Sequence, residues 1–543
     1  MNIRQTGENE DIKEGNAPGT CLCIRIDRFL TGTWAFLMLT VFPLYMRNRY
    51  SKMGVHKFRF FLAVSIVCLI PAAVCLVLHV LRRKERTGLP AVKGRFSSLD
   101  TAMLLYLAAA CVSWCLSVDH KVAWTGVEGW SMGLLAQLLF VLIYFMVSRQ
   151  FPWKRIIFAG HFLASGAVFL LGILHRFRID PLGMYEGVGE SLQLLFLSTI
   201  GQATWYSSYV CTVLVIGVAG FFLTEQPVRR LALGVYCMLG FGTIVVQNSD
   251  SAFAATVFLL FGLFLAACDS LDGMERFWEI LLLMLGSFKI IGGLQKVFAG
   301  RAVKLGGLSE FLSQSIQTWF LLLAVCFCYM LFLRYRQRHP ERKKPVHGTA
   351  FRKTAVIAVL AAIALYAFVV WMNTTGLLEE WIGIHSDNLY LLFDRSWGNS
   401  RGFSWKFTIG AFAGFPLFRK LFGAGPDCFS AYCYGDPELS GQLNHFFGWD
   451  QTLTNAHNEF LNTLFCLGAV GLLAFVMVFA AAFRRFWKGR NAGMPVLMGM
   501  LAVLVYAAHN FFCYQQVCCT PFLFLILGMA ESRLRQRQDA AAD

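Results

Sequence analysis

Apolar runs of about twenty residues recur along almost the whole chain, the length a helix needs to cross a bilayer. The run from Phe60 to Leu81 contains no Asp, Glu, Lys or Arg. Short polar joints, most of them basic, separate the runs. With 57% hydrophobic and 15% charged residues among 543, and a mean hydropathy of +0.56, the chain has too little polar surface for a soluble domain. Sustained two-residue alternation, the mark of a membrane β-barrel, is missing from the sequence. The expected fold is an all-α integral membrane protein of about 12–14 transmembrane helices, with one large extracytoplasmic loop between the late helices.

The runs fall near 30–47, 60–81, 101–118, 130–148, 155–174, 205–223, 230–246, 251–268, 277–294, 315–333, 353–372, 457–483, 493–510 and 519–532. These divide the chain into a cytoplasmic tail (1–29), a helix bundle (30–372), a large outer loop (373–456), C-terminal helices (457–532) and a second cytoplasmic tail (533–543). Basic residues in short joints set the orientation. Arg82, Arg83, Lys84, Arg86, Lys93 and Arg95 place one joint inside, and Arg149, Lys154 and Arg155 a second. Arg334, Arg336, Arg338, Arg342, Lys343 and Lys344 add a mobile-looking joint, and Arg484, Arg485, Lys488 and Arg490 a fourth. Arg47, Arg49, Lys52, Lys57 and Arg59 disagree, because they fall on the predicted outer side. Either the first run is not a span, or these residues meet anionic headgroups outside. The formal charge of +16 is therefore a membrane-surface signal and not a nucleic-acid one.

Seventeen cysteines are present, many inside apolar runs, which suits small apolar side chains. Cys428 and Cys433 share the outer loop, either as a disulfide or, the favoured reading, as two free thiols. No metal-ligand spacing and no cofactor motif occurs, so neither a metal nor a cofactor is expected.

Residues able to do chemistry gather between Asp394 and Gly471. Arg401 and Arg395 suit a phosphate or diphosphate, since guanidinium donors bind phosphoryl oxygens in pairs and stay charged. They suit loop salt bridges or lipid phosphate equally well. His457 opens an apolar span, as an interfacial anchor or as a partner for an acceptor hydroxyl. Asn458 and Glu459 share its first turn, and Glu459 favours the helix dipole. Gly423 to Pro426 reads as a tight turn, and Gly468 with Gly471 as a close-packing pair. Arg176 and Arg178 sit at the outer end of the fifth run, as snorkelling anchors or as further positive groups.

The order Ser400-Arg401 with Trp405, Leu421-Phe422-Gly423-Ala424-Gly425-Pro426-Asp427, and Ala456-His457-Asn458-Glu459-Phe460-Leu461 resembles the O-antigen ligase and polymerase family of bacterial membrane glycosyltransferases. Ser117 to Gly129, Ser198 to Gly201 and Ser249 to Ala252 match earlier family segments. The resemblance implies metal-independent transfer of glycan from a polyprenyl-diphosphate-linked donor to the hydroxyl of an acceptor glycan, lipid or wall polymer. The reaction would occur at the outer leaflet of the bacterial cytoplasmic membrane. It implies catalytic roles for Arg401 and His457, and substrate contacts for Trp405, Arg395, Arg176, Arg178, Asn458 and Gly425. Leu195 stands where members often carry arginine, and Asn455 where an acid is common. A flippase of lipid-linked sugar is the rival reading, with Lys289 as the one clear charge inside a span.

Overall fold

The computed structural model describes residues 22–85 and 96–541. The predicted tail up to Thr20, the basic residues Arg86, Lys93 and Arg95, and the last two residues lie outside the described residues. Every predicted apolar run falls on helix. In the order of the chain the main helices are α1 (Leu22–Phe36), α2 (Met53–Glu85), α3 (Ser98–Cys115), α4 (Leu134–Gln150), α5 (Arg155–Arg176), α6 (Ala203–Leu223), α7 (Pro227–Val246), α8 (Asp250–Ala267), α9 (Leu271–Val297), α10 (Ile316–Arg338), α11 (Gly348–Thr375), α12 (Trp397–Ala413), α13 (Glu459–Lys488), α14 (Met494–Asn510) and α15 (Thr520–Ala540). Ten helices among the described residues are long and apolar enough to cross a membrane, and α4 and α14 are shorter apolar helices. The chain is an all-α integral membrane protein. Its described strands are two residues each, Phe196–Leu197 paired antiparallel with Gly201–Gln202.

Lipid offers no hydrogen bonds, so each backbone run must satisfy itself as helix. The ends are closed by side chains. Ser97 and Asp100 form a reciprocal capping box on α3, and Asn458 caps α13 by accepting from Phe460 N and Leu461 N. Helices α6, α14 and α15 form the centre; 89% of the apolar window of α6 is buried. Helices α10 and α11 sit at the margin, with only 6% of the α11 window buried, so their apolar faces meet lipid.

The two ends of the bundle differ. At one end, Asp100 accepts from Tyr144 at 2.8 Å and pairs with Arg149 and Arg535, while Glu531 pairs with Arg485 and Arg535. There too, Asp269 ties Arg352 to Arg490, and Glu279 joins Arg230, Arg276 and Tyr329. The joint after α10 is pinned here and not loose: Arg336 pairs with Asp272 and Glu275, and Leu271 N donates to Lys343 O at 2.9 Å.

The opposite end carries the large loop between α11 and α13. It folds as short helices, Leu377–Ile382, α12, Leu417–Phe422, Phe429–Gly435 and Pro437–Phe447. The discordant basic joint also lies at this end, and protein groups neutralise it. Arg49 pairs with Glu186 and Lys52 with Glu128, while Lys57 is buried and donates to Phe42 O and Pro43 O. Its charge excess is therefore a weak report of the membrane side, because two of its five cations pair with carboxylates at the surface and a third, Lys57, is buried.

Helix α13 is broken at Gly468 (φ 72°, ψ −175°). Ala424 N and Gly425 N donate to the freed carbonyls of Phe465 (3.0 Å) and Cys466 (2.9 Å), and Ser113 Oγ adds a bond to Cys466 O at 2.8 Å. Gly468 is thus a helix break as well as the close-packing glycine expected, since the backbone of Leu421 and Phe422 lies against it. A Cβ there would lie 2.3 Å from the Leu421 carbonyl carbon. Gly468→Ala is expected to cost at least about 1–2 kcal/mol from the left-handed conformation alone. It should lower the thermal midpoint in detergent; an unchanged midpoint would contradict this account of the break.

Candidate active site

Arg401 is placed by an unusual turn. Gly398, Asn399 and Ser400 are all left-handed (φ 59°, 59° and 68°), so the chain reverses before α12 proceeds. For two non-glycine residues this is backbone strain held by its surroundings. Asp394 anchors the turn by accepting from Ser396 N and Trp397 N at 2.9 Å each. Arg401 Nε donates to Phe512 O at 2.7 Å, and Nη1 donates to Gly398 O. Neither Arg401 nor Arg395 has a carboxylate partner among the described residues, so the loop salt bridge does not form. With Nη2 uncommitted, Arg401 presents an oriented, uncompensated positive charge.

His457 is held in the left-handed region (φ 51°), just ahead of α13. Its N–H donates to Asn455 Oδ1 at 3.0 Å, and its ring meets Tyr514 edge-on with centroids 5.2 Å apart. Burial, and then the charge of Arg401, push the imidazole down to about 4. It is therefore neutral at physiological pH, a hydrogen-bond partner but a weak base. Asn458 is buried and its side-chain oxygen is committed to the helix cap. Glu459 does more than favour a dipole: it is 4% exposed, and accepts from Gln515 N at 2.6 Å and Thr463 Oγ1 at 3.0 Å.

The hub of the site is a segment that sequence reasoning passed over, His509 to Gln516, from the last turn of α14 into the joint before α15. Its Phe512 carbonyl orients Arg401, its Tyr514 ring contacts His457, and its Gln515 N–H holds Glu459. His509 Nε2 lies 2.8 Å from Ser207 Oγ and 3.2 Å from Ser251 Oγ. Burial opposes ionisation of Cys513, but His509 and then Arg401 outweigh it and bring the thiol down to about 7. One signal was available. The last two apolar runs are separated by Asn510, Tyr514, Gln515 and Gln516, on the same predicted side as His457.

Trp405 sits in an aromatic cluster, 5.2 Å from Trp397, 5.5 Å from Phe511 and 6.1 Å from Phe512, with its buried indole N–H unpartnered. It thus packs beside the residue that tethers Arg401. Arg395 is exposed nearby. Arg176 is 3% exposed and donates from Nε to Val246 O at 2.6 Å, while Arg178 is exposed. No hydrogen bond or ion pair among the described residues joins either to Arg401 or His457. Gly425 donates its N–H to Cys466 O, and a Cβ on it would lie 2.4 Å from Ser117 Cβ, so it is packed into the fold.

Asp427 follows this turn in a left-handed conformation (φ 56°). Its Oδ2 accepts from Val127 N at 2.7 Å and Met132 N at 3.1 Å, stapling the loop before α4 to the large loop. Burial raises its carboxyl to about 7 against those two bonds.

Cys428 and Cys433 are both free and fully buried. Burial, and then the charge of Asp427, push Cys428 up to about 12, and burial also raises Cys433. Neither thiol should react with iodoacetamide at pH 8 in the folded protein, and both should do so in SDS. Mass spectrometry finding either one alkylated without denaturant would contradict this burial.

No curated protein matches the chain. Residues 302–476 match the family model described as O-antigen ligase. The matched segment runs from before α10 into α13 and includes Arg401, Trp405, Asp427 and His457. The chain thus carries, over about a third of its length, a segment similar to the O-antigen ligase family, which supports a membrane enzyme of cell-surface polysaccharide assembly.

Proposed function

We propose that the protein transfers glycan from a polyprenyl-diphosphate-linked donor to an acceptor hydroxyl, at the membrane face that carries the large loop. The observation that carries this reading is the pairing of Arg401 and His457, held through Phe512 and Tyr514 of one segment and close enough for one charge to shift the other group. Diphosphate is a good leaving group provided its developing charge is stabilised. Arg401, with Nη2 free, stabilises that charge, so the reaction proceeds without a metal. His457, kept neutral, accepts a hydrogen bond from the acceptor hydroxyl and orients it toward the anomeric carbon. Trp405 shapes the cleft beside Arg401, and the exposed Arg395 and Arg178 draw the anionic donor to this face.

In this reading the end rich in ion networks is cytoplasmic, as are both termini. Residues 373–456 form the extracytoplasmic catalytic loop of a bacterial plasma-membrane enzyme. Either another lipid-linked glycan or a lipid or wall polymer serves as acceptor. The flippase reading rested on Lys289. That side chain is buried against the start of α10 and donates to Ser315 O at 2.8 Å and Ser313 O at 3.3 Å, which favours a role in closing a helix end over one in transport.

Membrane vesicles carrying the full chain and their own glycan-loaded lipid provide the test. Arg401→Ala should lower transfer by about 10²–10³-fold, and His457→Ala by about 10²-fold or more. Rates near wild type in both variants refute the assignment.

A further inference from the structure

A lipid diphosphate held at Arg401 still has a tail of isoprene units, which must leave the site through apolar surroundings. Helix α11 marks where it can. Arg352, Val359, Ala362, Tyr366 and Asn373 recur at steps of three, four or seven residues, so they share one face. Both ends of that face are tied to the bundle. At the end rich in ion networks, Arg352 Nε donates to Leu265 O of α8 at 3.0 Å, and its guanidinium lies 5.7 Å from the Trp487 ring centroid of α13. At the end carrying the large loop, Tyr366 Oη donates to Tyr390 O at 2.7 Å, and Tyr390 Oη donates to Asp250 of α8 at 3.0 Å. Asn373 Nδ2 adds a bond to Ser386 O at 2.8 Å. Between these ties the helix stands clear, with all nine residues from 360 to 368 exposed. Such a run makes more than two full turns and points in every direction. The side of α11 toward the bundle is therefore open, as well as the side toward lipid.

The surface behind α11 is apolar and leads to Arg401. Phe261 and Phe258 of α8 are partly buried, and lie one and two turns from Leu265 on the face that Arg352 touches. Val476 of α13 is exposed on the face that carries Trp487, three turns away. Between these two helices runs a strip of α14. In its half nearer the large loop, Leu504 and Ala507 are the residues not fully buried, and Phe511 just beyond is 46% exposed. A Cβ on Gly262 of α8 would lie 2.7 Å from Leu504, and the Phe511 ring is 6.3 Å from Phe460 of α13, so the strip forms the floor between them. Phe511 meets Trp405 at 5.5 Å, and the next residue, Phe512, holds Arg401 through its carbonyl at 2.7 Å. The crevice thus leads from open lipid beside α11 to the guanidinium. From Arg352 to Tyr366 it is about 21 Å long at 1.5 Å per residue, more than half of a hydrocarbon core about 30 Å thick.

We propose that the polyprenyl tail of the donor lies in this crevice between α11 and the bundle, and that the donor enters the site sideways there, from the bilayer. The proposal rests on the transfer reading and adds the place of the tail and the route of entry. What selects the tail is its headgroup. Bilayer chains are as apolar as isoprene, so hydrophobic burial alone gives the crevice no preference. A lipid tethered by its diphosphate at Arg401 holds its first isoprene units at high local concentration beside Phe511. The chain then continues along Ala507 and Leu504 without crossing a polar group. An acyl chain of an ordinary phospholipid fits the same space but has no such tether. Helix α11 can yield to a passing chain, since its middle has no packed contact to break.

Photocrosslinking locates the tail. The full chain carries p-benzoylphenylalanine at Ala362, toward the bundle, or at Ala364, about half a turn round the helix and toward lipid. It is placed in phosphatidylethanolamine–phosphatidylglycerol nanodiscs doped with undecaprenyl diphosphate. Mass spectrometry should find the prenyl lipid on position 362 at about tenfold or more above its share of the bilayer, and phospholipid on position 364. Arg401→Ala should abolish that preference. Equal labelling at both positions, phospholipid alone at 362, or a preference that survives Arg401→Ala overturns the proposal. Filling the crevice is the second arm. Ala362→Trp should lower transfer in vesicles by about tenfold or more, and weaken binding of undecaprenyl diphosphate but not of inorganic diphosphate. Ala364→Trp should leave all three at wild type, with an unchanged thermal midpoint in both variants. Wild-type transfer in Ala362→Trp, or equal losses in the two variants, also overturns it. Should Ala362→Trp melt early, the crosslink decides. If the crevice fails while Arg401→Ala and His457→Ala still lose transfer, the transfer reading stands; if those two variants transfer normally, that reading falls as well.

Discussion

Where α13 breaks at Gly468, two backbone carbonyls lose their helical partners in a part of the chain that a bilayer surrounds. Lipid cannot replace those bonds, and each orphaned group would cost several kcal/mol. The turn Gly423 to Gly425 replaces them, lying against the break as a short extended segment. Its close approach explains both glycines: a Cβ at Gly423 would sit 2.2 Å from Cys466 O. Much of the site follows from this contact. It brings the large loop back onto the bundle, sets Asp427 over the loop before α4, and leaves the first turns of α13 as one wall of a polar cavity.

Charge is distributed to match. At one end, buried carboxylates and arginines form ion-pair networks that tie α3, α4, α13 and α15 together. Such networks fix which helices meet, since removing one partner strands a buried charge. At the other end the design is opposite. Arg401 has carbonyl partners and no counterion, so its field falls on His457 and Cys513. Arg401 is thus a cation held by carbonyls and left without a carboxylate partner among the described residues.

The fold was legible because hydrophobic run length is a strong signal in lipid: all the runs found in the sequence are helices, down to the short one that became α15. The orientation of the first joint misled, because composition cannot distinguish a cation facing water from Lys57, which closes the end of the preceding helix. Arg401 and His457 were legible through motif order. Glu459 and the His509–Gln516 segment were not, since their importance comes from long-range contacts, such as Gln515 N to Glu459, that no local pattern encodes. Gly468 read correctly as a packing glycine, but its second role as a helix break was not legible, as a break and a notch share one residue type. Arg176 stood at the expected bundle end, but its side chain turned inward to the Val246 carbonyl.

The electrostatics of the site also constrain how labour is divided within it. A single group cannot both sit beside the guanidinium that stabilises a leaving diphosphate and keep a high proton affinity, because the same positive field that favours the departing anion disfavours imidazolium. His457 is lowered first by its burial and then by that field. Asp427 is the contrasting case: burial raises its carboxyl to about 7, and two backbone N–H groups hold its Oδ2. Burial thus acts in opposite senses on two groups of this loop, lowering the proton affinity of an imidazole and raising that of a carboxyl, because in each it disfavours the charged form.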